Sequence, residues 1–122
     1  MTDTDTHSSD LAIDLSHLAR YTGGEHMLNA EILRLFDGQI TAMVEDLRDV
    51  LAQRDASRWK QIAHTIKGAA RGVGAFRMGE AAAAAEPVDL VMQADKAEAA
   101  IARLMREGDA VQAFIARYLV AA

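Results

Sequence analysis

Apolar residues recur every three or four positions along most of the chain, which is the spacing of an amphipathic α-helix. Five stretches carry this pattern, and glycines, polar residues or the single proline separate them. The strict alternation of apolar and polar residues that marks a half-buried strand does not occur in the sequence. The pattern therefore predicts an all-α protein.

The first two predicted helices differ greatly in length. Leucines at helical spacing, from Leu11 to Leu18, predict a short helix that ends before Gly23. A long second helix is expected over residues 25–53, with Gly38 inside it. One apolar stripe of this helix is expected to face the core: Leu28, Ile32, Leu35, Phe36, Ile40, Met43, Leu47, Val50 and Leu51.

The third predicted helix covers residues 56–71. Asp55 precedes it and has the side chain of a good N-cap, since its carboxylate can accept a hydrogen bond from a free backbone N–H. Gly72 and Gly74 follow and predict a tight turn.

Two more helices complete the chain. The fourth is expected over residues 76–86, where Pro87 stops it, and the fifth over residues 94–120. Apolar and small residues of the fifth helix recur at steps of four and three, as in the seam of a helical bundle. These residues are Ala97, Ile101, Leu104, Gly108, Val111, Ile115 and Tyr118.

Four long amphipathic helices with short connections predict an antiparallel four-helix bundle, with the short first helix as an N-terminal addition. A chain of 122 residues can bury one core, so residues 10–122 are expected to form a single domain. The polar residues 1–9 are expected to form a disordered tail. A monomer is expected, because the bundle closes its own core and no second apolar stripe is evident.

Charge and composition narrow the class of function. The formal net charge is −5, which argues against binding nucleic acid through phosphate neutralisation. No run of 18 apolar residues occurs, so no membrane-spanning helix is expected. The acidic N-terminus lacks the features of a signal peptide, which favours the cytoplasm. Without cysteine there are no disulfides and no thiolate metal sites.

The third helix carries the candidate chemistry on its polar side. At about 100° per residue, one side collects Trp59, Ile62, Ala63, Ile66, Ala69, Ala70 and Val73. The other side collects Lys60, Gln61, His64, Lys67, Gly68 and Arg71, with His64 near its middle. His64 is therefore predicted to face solvent, and Lys60, Gln61 and Arg71 are the candidates for contact with a partner.

Two neighbours make His64 more than a surface histidine. Gly68 costs the helix about 1 kcal/mol relative to alanine, but it leaves the imidazole uncovered, since a side chain there would lean back toward residue 64. Lys67 lies one turn from His64, where its ammonium group can neutralise a phosphoryl group on the ring. An open imidazole beside a cation indicates a phosphoryl acceptor.

The string from His64 to Gly68 (HTIKG), flanked by Ala63 and Ala69 and followed by Gly74, resembles the signature of histidine phosphotransfer (HPt) domains of two-component phosphorelays. The resemblance extends over the whole chain. It implies a phosphoryl carrier rather than an enzyme with its own turnover. In this family the histidine carries the group on Nε2 between the aspartates of receiver domains.

The same resemblance implies the partners and one further site residue. The partners would be response-regulator receiver domains and a hybrid sensor kinase. The receiver would hold the Mg²⁺, so no intrinsic cofactor and no metal site are expected. In the family, a glutamine or glutamate 22 residues after the histidine contacts the imidazole, and Glu86 occupies that position. Because Pro87 disfavours helical geometry at the preceding residue, Glu86 could equally be a surface carboxylate.

Two other functions stay open at this point. One is an adaptor that is not phosphorylated, whose bundle surface binds and inhibits a receiver or a sensor kinase. The other is a fragment of a larger kinase, although the polar start and the ending YLVAA favour a complete small protein. A di-metal bundle enzyme is rejected, because the Glu-x-x-His strings that it requires are absent from the sequence.

Overall fold

The computed structural model of the protein describes residues 11–121. Five α-helices make up most of that length, and no strand forms within it. The predicted disordered tail, residues 1–9, lies outside the described residues. The helices are α1 (Leu15–Thr22), α2 (His26–Gln53), α3 (Ala56–Val73), α4 (Phe76–Ala85) and α5 (Ala94–Val120).

The four longer helices form an antiparallel bundle, as the sequence predicted. Helix α2 packs against α3 and α5, α4 packs against the same two helices, and the short α1 lies against α2 and α3. None of the five helices described combines the length and the apolar character needed to cross a bilayer. The bundle closes around one core that includes Leu33, Phe36, Leu47, Trp59, Ile66, Met78, Leu104 and Ile115.

The junction between α1 and α3 fixes where the candidate helix ends. Gly74 follows α3 with φ of 90°, in the left-handed region that favours glycine. Its carbonyl accepts a hydrogen bond of 2.8 Å from the backbone N–H of Asp14. A Cβ at Gly74 would lie only 2.6 Å from the Asp14 carbonyl oxygen, so a larger residue would force the two segments apart.

Two helix boundaries differ from the predictions by more than one residue. Helix α1 begins at Leu15 rather than Leu11, because the Asp14 carboxylate caps it by accepting a 3.0 Å hydrogen bond from the N–H of Ser16. Helix α3 continues through Gly72 to Val73, so Gly72 is helical and Gly74 alone makes the turn. The prediction that Asp55 caps α3 is confirmed by its 3.2 Å hydrogen bond from the N–H of Arg58.

The predicted core stripe of α2 was wrong at two of its positions, although Phe36 and Ile40 of the same stripe are buried as predicted. Leu28 and Leu35 are 39% and 65% exposed, whereas Leu33, which the stripe omitted, is fully buried. The buried face of α2 is therefore rotated from the predicted one, and the helix packs against both α3 and α5. By contrast, the seam of α5 is confirmed, since Ala97, Ile101, Leu104, Val111 and Ile115 are all buried.

Candidate functional site

Helix α3 holds His64 firmly while leaving its side chain in solvent. Ala63 and Ile66, on either side of His64 in the sequence, are fully buried against the bundle. One turn earlier, the indole of Trp59 is 1% exposed and donates a 2.8 Å hydrogen bond to the Ala85 carbonyl oxygen at the end of α4. The His64 side chain itself is 68% exposed. The predicted solvent-facing position of His64 is therefore confirmed.

Glu86 contacts both His64 and Lys67. Its Oε1 lies 2.8 Å from Lys67 Nζ, and its Oε2 lies 3.4 Å from His64 Nδ1. The first distance is that of a strong charge-assisted hydrogen bond, and the second is at the outer limit of a hydrogen bond. The Lys67 and Glu86 side chains are only 22% and 23% exposed, so solvent screens their pairing less than that of a fully exposed ion pair.

The backbone before Pro87 explains how Glu86 reaches α3. Glu86 keeps helical angles (φ −54°, ψ −45°) and its N–H donates a 3.0 Å hydrogen bond to the Ala82 carbonyl. The expected displacement of Glu86 by the following proline does not occur. The Trp59–Ala85 hydrogen bond fixes this end of α4 against α3, and the carboxylate of the next residue is thereby directed at Lys67 and His64.

The electrostatics of the three residues favour one orientation of the imidazole. The hydrogen bond from Lys67 is the main cause that lowers the pKa of Glu86 below its usual value. The charge of Lys67 and the contact with the His64 imidazole lower this pKa further. A carboxylate therefore faces Nδ1 at neutral pH and suits the tautomer whose proton is on Nδ1. That tautomer leaves a lone pair on Nε2, which has no hydrogen-bond partner within residues 11–121.

The surface around the imidazole is an open depression rather than a closed pocket. Its volume is about 540 Å³, and its lining includes Lys60, Gln61 and Thr65 of α3 besides His64 and Glu86. Such an open surface suits a macromolecular partner better than an enclosed small substrate. Two of the predicted partner-contact residues, Lys60 and Gln61, thus border His64, whereas Arg71 lies farther along α3, where it faces Gly79 of α4.

The packing of the bundle does not require glycine at position 68. A Cβ built on Gly68 meets nothing within 4 Å, and the same holds for Gly72 one turn later. Gly79 differs, since its Cβ would lie 3.1 Å from Arg71 Cγ, so glycine there lets α3 and α4 approach closely. Glycine at position 68 therefore destabilises helix α3 without improving the packing of the bundle, which points to a requirement imposed by a binding partner.

One exposed apolar residue of α2 lies at the same level of the bundle as this glycine surface. The 2.9 Å ion pair between Asp46 and Arg58 sets the register of α2 against α3. Because the two helices are antiparallel and each rises 1.5 Å per residue, Leu35 lies at the level of Ala69. Leu35 is 65% exposed. Sequence reasoning missed this surface, because it placed Leu35 in the core.

The other described histidines lack such a setting. His17 packs edge-on against Phe76 with ring centroids 5.0 Å apart, and His26 stacks on Tyr118 at 4.4 Å. Among residues 11–121, only His64 has its imidazole within ion-pair distance of a carboxylate. The same part of the chain contains no cluster of three or more histidine, aspartate or glutamate residues that could hold a metal ion.

The sequence is similar to a known protein family. The model of a family described as Hpt domain matches residues 31–117, which span α3, α4 and most of α2 and α5. The matched segment contains His64, Lys67, Gly68 and Glu86 together. No curated protein and no solved structure matches the chain.

Proposed function

Since the chain belongs to the Hpt domain family, whose domains are phosphocarriers in phosphorelays, we propose that it carries a phosphoryl group on His64. One observation supports this assignment above the others: the imidazole is 68% exposed and has a carboxylate against Nδ1. That arrangement orients the ring and leaves Nε2 as the nucleophile. Receiver-domain aspartates are the proposed donors and acceptors, with a hybrid sensor kinase as the first source of the phosphoryl group.

The transfer itself needs no proton movement in this protein. Nε2 attacks the phosphorus of a receiver acyl phosphate, the Nε2–P bond forms, and the P–O bond to the aspartate breaks with its electron pair leaving on the carboxylate. The Nδ1 proton of His64 stays beside Glu86 in both directions. Because the transition state is loose, most of the catalysis is positioning and charge neutralisation. The receiver supplies the Mg²⁺, and the chain acts as a carrier without independent turnover.

The proposed docking surface for the receiver, which we term the His64 face, comprises Gln61, His64, Gly68 and Gly72 of α3 and Leu35 of α2. The two glycines let the partner approach the helix backbone closely, and Leu35 offers apolar area that the bundle itself leaves exposed. Lys60 borders this surface with a positive charge that suits a partner with an acidic active site. The protein is proposed to act in the cytoplasm as a monomer.

Leu35→Arg should weaken receiver docking without unfolding the bundle. Leu35 is 65% exposed, so the core loses little, while a charge in the apolar part of the interface must be desolvated on binding. We expect the Kd for a cognate receiver to rise about tenfold, which corresponds to roughly 1.4 kcal/mol. Met27→Arg is the control, because Met27 is 77% exposed on the same helix but lies beside Leu119 of α5. Equal effects of the two substitutions would remove Leu35 from the docking surface.

The proposed function is tested by phosphotransfer from purified receiver domains. Each receiver is charged with ³²P-labelled acetyl phosphate, which releases acetate as the aspartate takes the phosphoryl group. The charged receiver is mixed with the protein, and the labelled residue is identified by mass spectrometry. Rapid labelling of His64 by at least one receiver, with matching loss of label from the receiver, is the expected result. Tight binding to a receiver without labelling would instead assign the chain to the adaptor class.

A further inference from the structure

The cation expected to stabilise the phosphoryl group is already engaged before any phosphoryl group arrives. Lys67 Nζ lies 2.8 Å from Glu86 Oε1, while the second oxygen of the same carboxylate lies 3.4 Å from His64 Nδ1. The tight contact is therefore to the lysine and the loose contact to the ring. A phosphoryl group on Nε2 would compete with Glu86 for the Lys67 ammonium.

Phosphorylation also changes what the imidazole needs at Nδ1. Once Nε2 is bonded to phosphorus, the ring is either an imidazolium with a proton on Nδ1 or a neutral ring with a lone pair on Nδ1. The lone pair would face the Glu86 carboxylate and be repelled by it, whereas the N–H of the imidazolium would donate to it. Glu86 thus favours the protonated ring.

We propose that Glu86 exchanges partners when His64 is phosphorylated, releasing Lys67 to the phosphoryl oxygens and closing onto the Nδ1–H of the ring. The proposal rests on the function proposed above and assigns Glu86 as a positioning residue. Both changes require only side-chain rotation, because Lys67 is one turn from His64 and its long stem can reach either anion. After the exchange the phosphoryl group and the carboxylate each have a cationic partner, whereas a fixed Lys67–Glu86 pair would leave the phosphoryl group without Lys67.

The exchange makes the phosphorylated histidine a good donor. When the Nε2–P bond breaks from the imidazolium form, the leaving group is a neutral imidazole, which departs more readily than an anionic one. The charged side chains around the ring are Lys60 and Lys67 of α3 and Glu86 after α4. Of these, only Glu86 carries a negative charge, so it alone favours the Nδ1 proton electrostatically. The chain is therefore built to pass the phosphoryl group on and not to store it.

Glu86→Gln provides the test, because glutamine keeps the shape of the side chain and removes its charge. Wild-type and variant protein, labelled with ¹⁵N in histidine and lysine, are phosphorylated with phosphoramidate, and Nδ1 of phospho-His64 and Nζ of Lys67 are followed by NMR against pH. In the wild type we expect Nδ1–H to persist to a higher pH than in the variant. We also expect the Lys67 Nζ signal of the wild type to shift on phosphorylation.

The rate of transfer to a receiver should show the same difference. Without the Glu86 charge, the proton on Nδ1 of phospho-His64 is held less well. The Glu86→Gln variant should therefore transfer at the wild-type rate near pH 6 and about tenfold more slowly near pH 8. The size of the effect follows because one opposite charge nearby shifts a protonation equilibrium by about one pH unit or more. Glu107→Gln is the control, because Glu107 pairs with Arg77 on another surface, between α4 and α5, and should leave the pH profile unchanged.

The outcomes separate the two proposals. If phospho-His64 forms in both proteins but Nδ1 loses its proton at the same pH, the exchange is wrong while the carrier function stands. The exchange is equally excluded if the Lys67 signal does not respond to phosphorylation. Failure of both phosphoramidate and charged receivers to modify His64 in the wild type would overturn the carrier function and the exchange with it.

Discussion

His64→Gln is expected to abolish phosphoryl acceptance while leaving the fold and its stability almost unchanged. The side chain is 68% exposed, and substitutions at such positions usually change the free energy of unfolding by about 0.5 kcal/mol or less. The loss of the imidazole also leaves no unpaired charge, since Glu86 keeps its 2.8 Å contact to Lys67. Label transfer from a charged receiver and urea unfolding measure the two quantities.

The matched control for this substitution is His26→Gln. It removes an imidazole that stacks on Tyr118 and is remote from the His64 face, so the variant should be labelled at the wild-type rate. Labelling of the His64→Gln variant would show that another residue accepts the phosphoryl group. A large loss of stability in that variant would mean that His64 has a structural role that its exposure does not suggest.

Gly68→Gln should move stability and function in opposite directions. A Cβ at this position meets nothing within 4 Å, and glutamine is a better helix former than glycine, so the free energy of unfolding should rise by somewhat under 1 kcal/mol. The same side chain would lean over His64 and hold the receiver away from Nε2. A misplacement of about 1 Å between reacting groups can cost about 10²-fold in rate, and we expect a loss of that order in phosphotransfer.

Gly38→Gln separates the two effects. Gly38 is also helical and unobstructed, but it lies on α2 and outside the His64 face. This variant should gain similar stability and transfer at the wild-type rate. Rapid-quench measurement of transfer beside thermal unfolding of both variants gives the comparison. If Gly68→Gln transferred as fast as Gly38→Gln, the open surface above His64 would have no function in docking.

The polar side of α3 could be predicted from sequence because only the opposite side of this helix packs against the bundle. Trp59, Ala63 and Ile66 all pack inward, so the remaining positions fall on one solvent face regardless of details elsewhere. The helical period alone then places His64, Lys67 and Gly68 together. This part of the site needed no knowledge of which helix lies opposite.

Helix α2 was harder to predict because several elements compete for its surface. It contacts α1, α3 and α5, and its apolar residues extend beyond the face that these helices cover. Hydrophobic spacing cannot distinguish a leucine that packs inward from one that remains exposed, as Leu33 and Leu35 show. The position of Leu35 depends on tertiary packing.

The pairing of Lys67 with Glu86 was also beyond the sequence. Local rules disfavour helical geometry at the residue before a proline, yet Glu86 is helical. The tertiary hydrogen bond from Trp59 to Ala85 and the ion pair to Lys67 outweigh that local preference. The 19-residue separation of Lys67 from Glu86 fits an α-hairpin, but only the packing of the two helices determines which oxygen meets which partner.

The indole of Trp59 gives the molecule a built-in optical probe of this site. It is the single tryptophan of the chain, it is almost fully buried, and its N–H is bonded to the last residue of α4, next to Glu86. Tryptophan emission depends on the polarity and hydrogen bonding around the ring. A rearrangement at the end of α4 that alters this hydrogen bond would change the emission without a label being attached, and we expect phosphorylation of the native protein to be detectable by its own fluorescence.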